Sequence, residues 1–290
     1  DLETQIRGVG RLYSCQRTVA DWQRQHQQVF GHPVISIEHN DTRFVAVGNK
    51  LHYGEWNSFA DFLTNYLRGT LGAEWGNAEI AKPLEDRHPL MQWYDKICHL
   101  QRAHAGEPGQ LFSMPITGAL SAYNRLAYNL YLIAHNGKDI QTRLIARLKN
   151  ADNFQGTYYE TQVAAWLIKA GFELEFEDES DRRSTHCEFT ASYVPTGEKY
   201  SVEAKSREIE RNFTSRPKIG RKLYDALAKN AKHKRLVFID LNKPLHTPEA
   251  AELSVDRAER IRLQSEDIKV GGQPAPPSYC GTPTTKRHIT

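Results

Sequence analysis

Glu203-Ala204-Lys205, within the segment KYSVEAK, sets a carboxylate and an ammonium two residues apart in a run that reads as a β-strand. Side chains alternate across a strand, so residues two apart share a face. Ser201, Glu203 and Lys205 then share one face, and Tyr200, Val202 and Ala204 pack inward on the other. The preceding run, THCEFTASYV, alternates as well, with Cys187, Phe189 and Ala191 on one face and His186, Glu188 and Thr190 on the opposite one. Pro195-Thr196-Gly197-Glu198 between the runs is turn chemistry. Together they predict a hairpin with Glu188 and Glu203 adjacent on its polar face. Two carboxylates and a lysine at one sheet edge can bind a divalent metal and activate water, which is equipment for cutting a phosphodiester. An isolated E-x-K is also ordinary on a solvated strand face, so the flanking elements must carry the argument.

Upstream, GTYYETQVAAWLIKAG reads as a helix that Asp152 or Asn153 can cap and Gly171 ends. On it Glu160 lies one and two turns from Ala164 and Leu167, on the apolar stripe. An inward carboxylate costs free energy unless it is paired, hydrogen-bonded or bound to a metal; an inward-leaning salt bridge is the plainer of these readings. GFELEFEDE follows, with Phe172, Leu174 and Phe176 alternating against glutamates, and predicts a first strand. Downstream of the hairpin, RPKIGRKLYDALAKNAK is expected to be a helix whose Ile219, Leu223, Ala226, Leu227 and Asn230 trace the helical period. RLVFIDLN then reads as a buried strand.

The order helix with Glu160, strand, strand with Glu188, strand with Glu203-x-Lys205, helix, strand resembles the core of the PD-(D/E)XK nuclease superfamily. The resemblance spans about residues 152 to 242. It implies an α/β fold with a restriction-endonuclease-like αβββαβ core, in which helices flank a mixed four-stranded sheet. It further implies that Glu188 and Glu203 bind one or two Mg²⁺ ions, that Lys205 orients or polarises the attacking water, and that Glu160 completes the metal site. Two departures are plain: Glu188 stands where aspartate is usual, and Cys187 where proline is usual. Both leave a carboxylate in place but lengthen its reach.

The chemistry is coherent on the residues alone. Mg²⁺ takes oxygen ligands and keeps several waters, so two or three carboxylates beside a phosphate suffice; Mn²⁺ is expected to substitute. Lys205 would hold charge that develops near the attacking oxygen. No Walker loop, dinucleotide fingerprint or Ser-His-Asp order competes. Between Ser206 and Arg235, the bases Arg207, Arg211, Arg216, Lys218, Arg221, Lys222, Lys229, Lys232, Lys234 and Arg235 face only Glu208, Glu210 and Asp225. Phosphate backbones are bound by such a field. Arg216, Lys218, Arg221 and Lys222, at the start of the helix after the E-x-K strand, are the candidate nucleic-acid contacts. The formal net charge of +3 decides nothing by itself.

A chain of 290 residues can hold two cores. The expected organisation is a mostly helical N-terminal domain over 1–150, the nuclease-like core over 151–245, and a charged helix with a loosely ordered tail over 246–290. In the first region Arg17 to Phe30 reads as a polar helix. PVISIEHNDTRFVAVGNKLHYG, with turn signals at Asn40-Asp41 and Gly48-Asn49, predicts a small antiparallel meander. Helices are expected over Ser58 to about Leu71, Pro89 to about His104, Ala119 to His135, and from an Asp139 cap to about Lys149. Trp56, Trp75 and Trp93 are expected in core packing. This domain could recognise substrate, bind a partner protein or mediate a homodimer. No run approaches the roughly 18 apolar residues of a membrane span, and no signal peptide is read. The four cysteines, without C-x-x-C pairs, point to a reducing cytoplasm and away from a zinc framework. The expectation is therefore a Mg²⁺-dependent nuclease, a DNA endonuclease of restriction, defence, repair or mobile-element biology, with DNA ahead of RNA. The alternatives are a nucleic-acid-binding module with an inactive nuclease-like core, and an interaction scaffold acting through its N-terminal domain.

Overall fold

The computed structural model describes residues 31–104, 106, 113–137, 140, 142–176, 187–206 and 219–240, with the backbone of 269–270 and 273–274. Asn40 and Asp41 take left-handed backbone conformations, with φ of 47° and 58°. That geometry joins antiparallel strands in a two-residue turn. Strands β1 (Ile35–His39), β2 (Thr42–Val47) and β3 (Lys50–Gly54) form the expected meander, in the order β1-β2-β3. The second turn needs glycine: Gly48 has φ +58°, and a Cβ there would stand 2.7 Å from the Ala134 carbonyl oxygen.

Helix α1 (Phe59–Leu71) starts at a capping box between Ser58 and Asp61. Next come α2 (Ala73–Ile80), a 3₁₀ turn at Leu84–Asp86, and α3 (Pro89–His104). Helix α4 (Gly118–Asn136) is capped by the Thr117 hydroxyl and ends at Gly137. Two more follow almost without a break, α5 (Thr142–Lys149) and α6 (Ala151–Lys169). Their junction corrects one expectation. The cap of α6 is Asn150, whose side chain accepts from the Asn153 amide, not Asp152 or Asn153. Helix α2 was not anticipated, because its eight residues bury only Glu79 and carry no apolar stripe. Phe62, Leu67, Leu126, Leu130 and Leu148 are fully buried at the centre of the helices, and Trp56, Trp75 and Trp93 pack around them as expected.

The chain divides into two compact units at Glu173/Leu174, inside strand β4 (Phe172–Phe176). The boundary expected at 150/151 therefore falls within the first unit, because α6 packs on α4 and α5. The second unit is built on a four-stranded sheet in the order β4-β5-β6-β7, with β5 (Phe189–Tyr193), β6 (Lys199–Ser206) and β7 (Lys234–Asp240). Strands β5 and β6 are antiparallel, and β6 and β7 are parallel across helix α7 (Ile219–Ala228). Leu223, Ala226 and Leu227 form the buried stripe of α7, which packs on β6 and β7. The helix stops at Ala228, so Asn230 leaves the stripe and is exposed. As an edge strand, β7 is half-buried rather than buried.

Strand β6 differs from its expected half-solvated form. Ser201, Val202, Glu203 and Ala204 are all buried, so both faces of this inner strand are covered. The polar face holding Glu203 is an interior face. The expected helices over Arg17 to Phe30 and Pro248 to Glu266, the Asp139 cap, Arg216 and Lys218 lie outside the described residues. In the tail, Lys269–Val270 pairs antiparallel with Gln273–Pro274 in a separate two-stranded sheet. No helix among the described residues is long and apolar enough to cross a membrane.

Candidate active site

The β5–β6 register pairs Phe189 with Val202, and the Glu188 amide donates to the Val202 carbonyl at 2.9 Å. Glu188 thus stands at the entry to β5, facing the Val202–Glu203 stretch of β6, and its charge acts on Glu203. Cross-strand neighbours on one face lie within side-chain reach. The hairpin thus brings the two carboxylates together as expected, and Lys205 joins them: its Nζ lies 2.6 Å from Glu203 Oε1.

A fourth side chain completes the group. Lys229, just beyond α7, places its Nζ 2.8 Å from Glu203 Oε1 and 3.3 Å from Glu188 Oε1. The sequence places Lys229 in the basic patch; the structure turns it inward onto the acids. Its backbone is fixed from β7, where Arg235 Nη2 donates to the Lys229 carbonyl at 2.9 Å. The signal was present but misphased. Lys229 follows Ala226 by three residues, but the helix ends before Asn230 can extend the stripe.

Glu203 is 1% exposed, and among the described residues its Oε2 has no hydrogen-bond partner. Burial, then the nearby charge of Glu188, push its pKa above the ordinary carboxylate value, while Lys205 and Lys229 pull it back. Burial alone would lower the Lys229 ammonium. The charges of Glu188 and Glu203 reverse that, and its pKa is raised. Cys187 beside them is no nucleophile at neutral pH: burial and the Glu203 charge push its thiol up to about 11, and its Sγ contacts the Asn230 carbonyl at 3.6 Å.

Glu160 belongs to the first unit, whereas Glu188, Glu203 and Lys205 belong to the second. It is buried on α6 as the helical period predicts, and it forms an ion pair with Arg147 of α5. Of the candidate nucleic-acid contacts, Arg221 is exposed and Lys222 half-buried in the first turn of α7.

A metal can be tested against these donors. Among the described residues no group of three or more His, Cys, Asp or Glu side chains is arranged around one point. The second unit offers two carboxylates with one buried, unpartnered oxygen. That is a sufficient protein share for Mg²⁺, which keeps most of its waters. The donors fit, but an ammonium already bridges them. Comparison with protein-family models, curated proteins and solved structures returns no match.

Proposed function

We propose that this protein is a metal-dependent nuclease of the PD-(D/E)XK type, acting on DNA. The observation that carries the reading is the meeting of Glu188 and Glu203 across two antiparallel strands, with Lys205 on the inner strand of a mixed sheet. The chain order α6-β4-β5-β6-α7-β7 supports it, because the superfamily's core has that order.

Glu188 and Glu203 would hold Mg²⁺ or Mn²⁺. When bound, such a cation polarises a phosphoryl oxygen and makes water more acidic. The chain supplies the rest. Lys205 sets a positive charge beside the acids, where negative charge grows as a phosphodiester is attacked. Burial of Glu203 keeps the carboxylate in a poorly solvated setting in which each charge acts more strongly. Arg221 and Lys222 offer phosphate contacts. Glu160 is paired with Arg147 in the first unit, and the proposal gives it no part in holding the cation.

Incubation with plasmid, linear duplex, single-stranded DNA and RNA, with and without Mg²⁺ or Mn²⁺, tests the reading. Cleavage of DNA only with metal is expected. No cleavage of any substrate under any of these conditions would exclude it. One observation favours a second reading, a nucleic-acid-binding module whose acids are structural: Lys229 already bridges both carboxylates. In that case DNA would bind without cleavage and without any dependence on divalent metal.

A further inference from the structure

We propose that Lys229 is the resident counter-ion of the acidic pair, holding the place a divalent cation takes and leaving it when that cation binds. The inference rests on the nuclease reading above. Its ammonium contacts Oε1 of both Glu188 and Glu203, the two acids that would hold a cation. With Glu188, Glu203, Lys205 and Lys229 all charged, the group is neutral. A divalent ion added to a neutral group gains little net attraction. With Lys229 gone, the group carries one negative charge. Two lysines serve the pair, and they differ in how they are held. Lys205 rises from the sheet itself, whereas Lys229 hangs from the segment after α7. The Arg235 bond fixes the Lys229 carbonyl and not its ammonium, which sits at the end of lysine's four-carbon stem.

A coupling follows. A displaced ammonium is a ready partner for a phosphate. A nucleic acid that takes Lys229 strengthens metal binding, and by linkage the metal strengthens nucleic-acid binding by the same factor.

The test uses the intact chain and no cleavage assay. Lysines are labelled by reductive methylation with and without Mn²⁺, and Lys229 is compared by mass spectrometry with Lys234, whose side chain is 73% exposed. Mn²⁺ at concentrations that saturate a calorimetric titration should raise Lys229 labelling about tenfold, toward that of Lys234, and leave Lys234 unchanged. In parallel, Lys229→Met should bind Mn²⁺ about tenfold or more tightly than the wild type. Should that variant fail to fold, wild-type labelling still decides. Saturable Mn²⁺ binding with unchanged Lys229 labelling would overturn the inference and leave the nuclease reading standing. Absence of Mn²⁺ binding in both proteins, with or without duplex DNA, would remove both.

Discussion

Each unit buries glutamates, and the two units treat them differently. In the first, Glu79 accepts from Lys82 Nζ at 2.7 Å and from the His88 amide at 2.9 Å, and Glu160 pairs with Arg147. Glu79 has a lowered pKa even though burial alone would raise it, because the Lys82 and His88 contacts outweigh burial. In the second, Glu203 keeps a second acid beside it and one oxygen without a partner, and its pKa is raised. Burial of an acid therefore does not mark a site. A bonded carboxylate balanced by its own cation is architecture. Two acids side by side, with a buried oxygen left unpartnered even beside two lysines, are costlier to fold.

The sharpest way to break this contrast is through turnover. Glu203→Gln and Lys205→Ala should each lower metal-dependent DNA cleavage by about 10²–10⁴-fold, the scale of losing a positioned acid, base or charge stabiliser. Glu160→Gln should leave most activity at temperatures where it stays folded. A loss for Glu160→Gln as large as that for Glu203→Gln, at unchanged Tm, would move Glu160 into the metal site.

Stability should reverse the ranking. Arg147→Met takes the paired cation from the buried Glu160 carboxylate and should cost about 2–4 kcal/mol, a buried-pair figure discounted for the partly exposed guanidinium. Glu160→Gln removes the buried charge and leaves the guanidinium, whose side chain is 26% exposed, within reach of water, so it should cost less. Equal melting curves for Arg147→Met and wild type would show that the pair contributes nothing, and Glu160 would need another explanation for its burial.

The two units should also titrate in opposite senses. The raised pKa of Glu203 means that its contribution to stability is complete below the ordinary carboxylate range and is lost as pH rises through the folded value. Glu203→Gln cannot titrate, so its Tm deficit against wild type should shrink as pH rises across that window. Glu79 is lowered, so its contribution is present above the ordinary value and lost as pH falls through the folded one. The deficit of Glu79→Gln should therefore grow as pH rises. Melts without metal, from below the ordinary carboxylate value for Glu79 and from that value up to neutral pH for Glu203, check the signs; drifts in the same direction would erase the distinction.

How much of this was legible depended on whether the cause was local. The turns at Asn40-Asp41 and Gly48 and the start of α1 at Ser58 were, because these residues act within a few positions of themselves, whereas the α6 cap was misplaced from Asn150 onto Asp152 or Asn153. The Glu188–Glu203 meeting was legible too, since alternation and a short turn set a hairpin's register. The burial of both faces of β6 was not. Polar residues at alternate positions read as solvated, and only the cations that neutralise Glu203 let it be interior. Lys229 comes 26 positions after Glu203, and no periodicity links a strand residue to a side chain beyond the next helix. Arg147 and Glu160, on separate helices, were hidden for the same reason. What the period did give was the inward face of Glu160, without its partner.

The smallest expected effect concerns the basic surface at the start of α7. Arg221 and Lys222 lie in the first turn of α7, where the helix dipole adds a partial positive charge to theirs. That turn carries no acidic residue to cancel them. Lys229, at the far end of the same helix, is spent on Glu188 and Glu203, so the field available to a phosphate is smaller than the basic count suggests. Contacts to a phosphate backbone carry no base information. The double variant Arg221→Ala/Lys222→Ala should therefore weaken binding to unrelated duplexes by similar factors. Plotted as log affinity against log salt, its slope should be shallower by up to about 0.9 per lost contact. Folding should hold, because Arg221 is exposed and the stripe of Leu223, Ala226 and Leu227 is untouched. A slope equal to wild type would mean that the nucleic acid does not run over α7, and the contrast between the units would then rest on the carboxylates alone.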